Sequence, residues 1–192
     1  MPSSSFAVVG AGLAGCECAL QLAAAGHAVT LFEQKPHFRS PAHVSDDFAE
    51  LVCSNSLRSD ERTSGVGLLK AEMRALGSVF MALAEACRVP AGKALAVDRE
   101  AFARAMTDAV AAQPGITVRQ RRIDTLDDAE LENAGRAGIV IAAGPLASDG
   151  LSASLADAIG GEHCYFYDAI APIVWTHSLD MSVVFRASRY GA

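Results

Sequence analysis

Phe6-Ala-Val-Val-Gly10-Ala-Gly12-Leu-Ala-Gly15, closed eighteen residues later by Val29-Thr-Leu-Phe-Glu33, decides the fold. Phe6 to Val9 is short, apolar and partly β-branched, the composition of a buried strand. Glycines follow it at once. Gly10 permits a tight turn, because glycine reaches positive φ without a Cβ penalty. Gly12 leaves room for a diphosphate to approach the backbone, and Gly15 lets the next helix pack against the sheet. The segment from Ala14 to Ala25 reads as that helix, with Leu20 and Leu22 among its apolar positions and Gly26 as its stop. Helix-terminal amides and the helix dipole favour an anion at the turn. Val29 to Phe32 is a second strand, and Glu33 at its end can accept from both hydroxyls of a ribose. A strand, this glycine spacing, a helix and an acid about 20 residues on together form a dinucleotide-binding signature. It places Gly10, Ala11, Gly12, Leu13, Ala14, Gly15 and Glu33 as cofactor contacts.

The chain has 192 residues, 51% of them hydrophobic, enough for a full core. Its net charge of −6 carries no general nucleic-acid signature, so any RNA contact rests on local basic surface or on residues outside this chain. The five cysteines, Cys16, Cys18, Cys53, Cys87 and Cys164, form no zinc spacing and no C-x-x-C pair, which points to a reduced, cytoplasmic protein. Met1 to Ser5 lacks a signal-peptide pattern, and Glu17 and Gln21 interrupt the one long apolar run, so no membrane span is expected.

Beyond Glu33, Lys35 to Arg62 reads as a long irregular excursion with one short helical turn near Asp47 to Leu51. Apolar residues within it, Phe48, Leu51, Val52 and Leu57, argue for order. From Thr63 or Ser64 to Cys87 the apolar positions recur at three- and four-residue steps, predicting one amphipathic helix weakened by Gly77. Ala94 to Val97 is a short strand, and Asp98 caps a helix through Ala112. Ile116 to Arg122 is a further strand, Thr125 to Ala134 is acidic surface, and Gly138 to Gly144 is a buried strand ending in glycine. This βαβ series predicts an α/β fold with a mainly parallel, doubly wound, Rossmann-like sheet. A nucleotide-binding domain over 1–150 is expected, with 151–192 opening a second unit whose aromatic run is Tyr165-Phe-Tyr-Asp168.

The three-part layout of the glycine turn with Glu33, Val97-Asp98-Arg99-x-x-Phe102, and Ile139-Val-Ile-Ala-Ala-Gly144 resembles flavoproteins of the glutathione-reductase type. FAD is therefore expected over NAD, whose domains share the first motif without the excursion. By that resemblance adenine lies near Arg122 and Ile123, and Gly144 approaches the ligand through its backbone. The excursion is more specific. Pro41-Ala-His43 and Phe48-Ala-Glu50-Leu-Val-Cys53-Ser-Asn55-Ser56-Leu-Arg58 resemble the TrmFO family of bacterial tRNA uracil methyltransferases, as do Gly67-Leu-Leu-Lys70-x-Glu72-Met-Arg74, Val89-Pro-Ala-Gly92 and Tyr165 to Ala169. The GidA-type tRNA modification flavoproteins are wider relatives.

The resemblance implies an enzyme that uses FAD, NAD(P)H and methylenetetrahydrofolate to convert a T-loop uridine of tRNA to 5-methyluridine. The uracil ring reacts at carbon 5 only after a nucleophile adds at carbon 6, and a thiolate suits that addition. Cys53 is the catalytic candidate, either as that nucleophile or as the residue that holds or protects the flavin; packing beneath the ring is the structural alternative. His43 and Glu50 serve proton transfer or hold the excursion together. Asn55 and Ser56 donate to flavin oxygens or cap a turn, and Arg58 and Lys70 meet anions or are solvated charges. Alternatives for the whole are a hydride-transferring FAD oxidoreductase and a non-catalytic FAD-binding remnant. Family members are more than twice this length, so an incomplete second domain is expected.

Overall fold

The computed structural model describes residues 4–160 and 176–184. The expected aromatic run at Tyr165, the Ala171 to Trp175 segment, Cys164 and the terminal Ser188 to Ala192 lie outside the described residues.

The chain begins with β1 (Ser5–Val9), α1 (Leu13–Ala24) and β2 (Ala28–Glu33). The excursion ends in β3 (Ser56–Ser59); α2 (Gly65–Ala75), α3 (Val79–Ala86), β4 (Arg88–Val89), β5 (Ala94–Val97) and α4 (Arg99–Ala112) follow. Then come β6 (Ile116–Gln120), α5 (Ala129–Ala134), β7 (Gly138–Ile141), α6 (Asp149–Ile159) and a short 3-10 turn at Thr176–Ser178. Four parallel strands form one sheet in the order β6-β2-β1-β7. A second, antiparallel sheet has the order β3-β5-β4.

Alternation along the strands builds a layer on each face of the parallel sheet. Val8, Val29 and Leu31 face one way, into a core with Cys16, Leu20, Phe102, Met106 and the β5 residues Leu95 and Val97. Ala7, Val9 and Phe32 face the other way, against Ile123, Leu131 of α5 and Leu151 of α6. The helix that opens the expected second unit thus packs its Leu151 on the first sheet. β1 connects outward to β2 on one side and pairs with β7 on the other, so the strand order reverses beside β1. A crevice opens there, at the carboxyl ends of the strands.

Three local expectations are corrected. The single helix from Ser64 to Cys87 is two. Gly77 takes φ +76, and Ser78 then starts α3 by accepting from the Met81 N–H at 3.2 Å. The break is held from α1 by the two polar residues that interrupt its apolar run. Glu17 accepts from the Val79 and Phe80 amides at 3.2 and 2.7 Å, and Gln21 donates to the Gly77 carbonyl at 3.1 Å. The continuous apolar stripe fails with it: Leu69 and Leu76 are exposed, while Lys70 is buried and donates to the carbonyls of Ser59 and Val66. The turn at Asp47 to Leu51 is not helical, since Ala49 takes φ +51. β7 is half-buried rather than buried, because among the described residues β1 is the one strand it pairs with.

Asp60, Arg74, Glu85 and Arg88 close a ring of ion pairs between the end of β3, α2, α3 and β4. Asp60 accepts from Arg74 at 2.7 Å and Arg88 at 2.6 Å, and Glu85 accepts from both arginines. Burial would raise the Asp60 carboxyl, but the two guanidiniums outweigh it and hold it below the usual carboxylate range. A depressed carboxyl contributes stability that is present above its ordinary value and lost as pH falls through the depressed one. In urea melts between neutrality and pH 3, Asp60→Asn should lower stability by about 1 kcal/mol at neutral pH and flatten the decline below about pH 4. Glu17→Ala should cost about 1–2 kcal/mol through the loss of the α3 cap, read as a lower urea midpoint at unchanged slope.

Candidate nucleotide site

The end of β1 turns sharply into α1. Gly10 takes φ +100 and donates to the Phe32 carbonyl at 2.8 Å; a Cβ there would lie 2.6 Å from the Ala142 carbonyl oxygen. A Cβ on Gly15 would fall 1.8 Å from the Gly10 oxygen, so α1 reaches the turn only as glycine. Gly12 differs. Its φ of −74 suits any residue, and a Cβ there meets nothing within 4 Å. It is also the N-cap of α1 and supplies no side-chain acceptor, which leaves the first-turn amides open to an anion.

Ala11 joins the parts. Its N–H donates to Glu33 Oε2 at 2.8 Å, and its carbonyl accepts from the Ala49 N–H at 2.8 Å and the Cys16 thiol at 3.3 Å. The other Glu33 oxygen accepts from the Lys35 N–H at 2.9 Å. Burial, and then the Glu33 charge, push the Cys16 thiol up to about 12, so it stays a neutral donor.

The excursion is folded back as a clip. Glu50 accepts from the Val44 amide at 3.0 Å and the Ser45 amide at 3.2 Å. The Lys35 ammonium donates to the Asp47 carbonyl and lies 3.8 Å from Glu50. Thr107 of α4 accepts from the Phe48 N–H at 2.8 Å, and Arg99 donates to the Leu51 carbonyl at 3.3 Å. His43 Nδ1 meets the Ser40 hydroxyl at 2.6 Å; burial, then the Lys35 charge, lower its pKa and favour the neutral ring.

These pieces enclose a cavity of about 390 Å³ at the reversal of strand order. That is within the ~300–1,000 Å³ usual for small-molecule sites. Of the residues expected from sequence, Gly10, Ala11, Gly12, Leu13, Ala14, Glu33, Ile123 and Gly144 line it. Gly144 has φ +71. Gly15 lies behind the turn. Cys53 does not line the cavity; it is exposed, one residue past Val52, which does. Asn55 instead exchanges hydrogen bonds with Val97, its side chain donating at 3.2 Å and its carbonyl accepting at 3.0 Å. The Ser56 hydroxyl accepts from the Arg58 N–H at 3.2 Å, and Arg58 is exposed with φ +68. Glu50 and His43 are both in the wall.

Sequence reasoning missed Lys35 and Arg121 as lining residues, and with them the Pro145 to Ser148 segment. The signal for Lys35 was its place two residues past the acid. Arg122 was expected for its backbone; its side chain also pairs with Asp124 at 2.9 Å and stacks 4.3 Å above the Phe38 ring. Among the described residues no cluster suits a metal ion, and no helix is long and apolar enough to cross a membrane.

The model of the glucose-inhibited division protein A family matches residues 5–192. A methylenetetrahydrofolate–tRNA-(uracil-5-)-methyltransferase TrmFO of Oleidesulfovibrio alaskensis is 64% identical over 97% of this chain and 42% of its own length. One from Nitratidesulfovibrio vulgaris is 63% identical over 98% of the chain and 39% of its own length. The chain thus spans about two fifths of the curated relatives it matches. A crystal structure of GidA from Aquifex aeolicus superposes with TM-score 0.51 at 16% identity, covering 64% of this chain and 20% of that one; it supports the α/β fold. A family match over nearly every residue, on a fold that this structure shares, settles kinship: the chain belongs to the glucose-inhibited division protein A family.

Proposed function

We propose that this chain is the FAD-binding part of a folate-dependent tRNA uracil-5-methyltransferase of the TrmFO type, acting on a T-loop uridine with NAD(P)H and methylenetetrahydrofolate as co-substrates. The observation that carries the reading is its 64% identity, over nearly its whole length, to a relative of that name.

The residues fit the cofactor. The empty side of Gly12 and the open first-turn amides accept a diphosphate without rearrangement. The Glu33 carboxylate has about four lone-pair directions and uses two on backbone amides, which leaves two for ribose hydroxyls. The backbone at Arg122 and Ile123 takes the adenine, and Gly144 faces the remainder of the ligand. Bound there and reduced by NAD(P)H, the flavin would supply the electron pair that a methylene needs to become a methyl group.

Cys53 belongs to the reacting end in this reading. Cys53 is exposed and follows Val52 of the cavity wall, which leaves its thiol open to a substrate. Asn55 and Ser56 hold its segment to β5 and to the turn at Arg58, and so act on the cofactor through the placement of that loop.

The decisive assay uses the full-length protein from the same gene: FAD uptake, then transfer of labelled carbon from methylenetetrahydrofolate to T-loop RNA. A flavin-loaded protein that oxidises NAD(P)H and never labels RNA would sink the methyltransferase reading and favour a plain oxidoreductase. Gly12→Val should leave the fold intact, since the added atoms enter open space, and abolish flavin uptake; unchanged FAD binding would refute the placement. Brief alkylation of the native protein should modify Cys53 and spare buried Cys16, which reacts only after unfolding, as read by peptide mass spectrometry.

A further inference from the structure

Three cationic residues line the cavity among the described residues, Lys35, Arg121 and Arg122. Two are committed outward. Arg121 is bound to Asp128 and Glu130, and Arg122 to Asp124 and the Phe38 ring. Lys35 is different. Its side chain is only 5% exposed, and among the described residues its ammonium makes a single hydrogen bond, to the Asp47 carbonyl. Glu50, the nearest carboxylate, is 3.8 Å away, beyond hydrogen-bond reach, and both Glu50 oxygens already accept from backbone amides. An ammonium has three donors. A buried cation with donors to spare is costly unless an anion completes it.

We propose that Lys35 is the side-chain grip on the cofactor's diphosphate, acting together with the first-turn amides of α1. This rests on the FAD reading above. Two observations place Lys35 beside the turn. Lys35 is tied through its own N–H to the same Glu33 carboxylate that holds the Ala11 amide. It also lines the same cavity as Gly12, Leu13 and Ala14 of that turn. A diphosphate brings two negative charges and several acceptor oxygens into that space. It gives the ammonium the charge-assisted bonds that Glu50 does not, and these are among the stronger polar contacts. Glu33 recognises the sugar beside it, so acid and base two residues apart divide one ligand between them.

The test uses the full-length protein and two probes that differ only in the diphosphate, ADP and adenosine, with FAD as reference. Lys35→Met keeps the apolar stem and removes the charge. It should weaken ADP and FAD about thirtyfold and leave adenosine within about twofold. Lys35→Arg should restore most of the ADP affinity. Equal weakening of ADP and adenosine, or none for either, overturns the proposal. If Lys35→Met does not fold, a crystal structure of the unaltered protein with ADP decides: a phosphate oxygen within hydrogen-bond distance of Lys35 Nζ supports the grip, and a phosphate held elsewhere defeats it. Failure of the FAD reading looks different, because the unaltered protein would then take up no FAD at all.

Discussion

One residue holds the arrangement together. Both backbone polar groups of Ala11 are claimed by other parts of the chain: the amide by Glu33 at the end of β2, the carbonyl by Ala49 in the excursion and by the Cys16 thiol of α1. Buried backbone groups need partners. Here those partners fix where the second strand ends, where the excursion folds back and how the helix leaves the turn. Remove any one and the cavity loses a wall.

The same economy recurs away from the site. Glu17 and Gln21 look like flaws in an apolar helix, yet they cap α3 and hold the carbonyl at the Gly77 break. Lys70 takes a buried position on α2 and satisfies one carbonyl at the end of the excursion, Ser59, and one in the first turn of its own helix, Val66. The polar residues that interrupt a hydrophobic pattern mark the joints between elements, because helix ends carry amides and carbonyls that no apolar residue can satisfy.

What could be read from the residues was local. The β1–turn–α1–β2 unit is continuous in sequence, and the glycines have steric reasons visible one at a time. β5, β6 and the Asp98 cap were legible for the same cause. The α2–α3 break was not, because Gly77 alone only weakens a helix; the decision comes from Glu17, about sixty residues earlier. Lys35 was read as the start of a loop, since its burial depends on Asp47 and Glu50 folding over it. The exposure of β7 depends on which strand lies beside it, and sequence alternation within one strand carries no such information.

The clip formed by Glu50, Lys35 and the Val44–Ser45 amides has a thermodynamic consequence. Its loop is held by bonds within the chain itself rather than by bonds to a ligand. Association therefore forfeits little conformational entropy, and the heat-capacity change on saturation should reflect only the apolar area that the ligand covers, without the larger decrement that accompanies coupled folding.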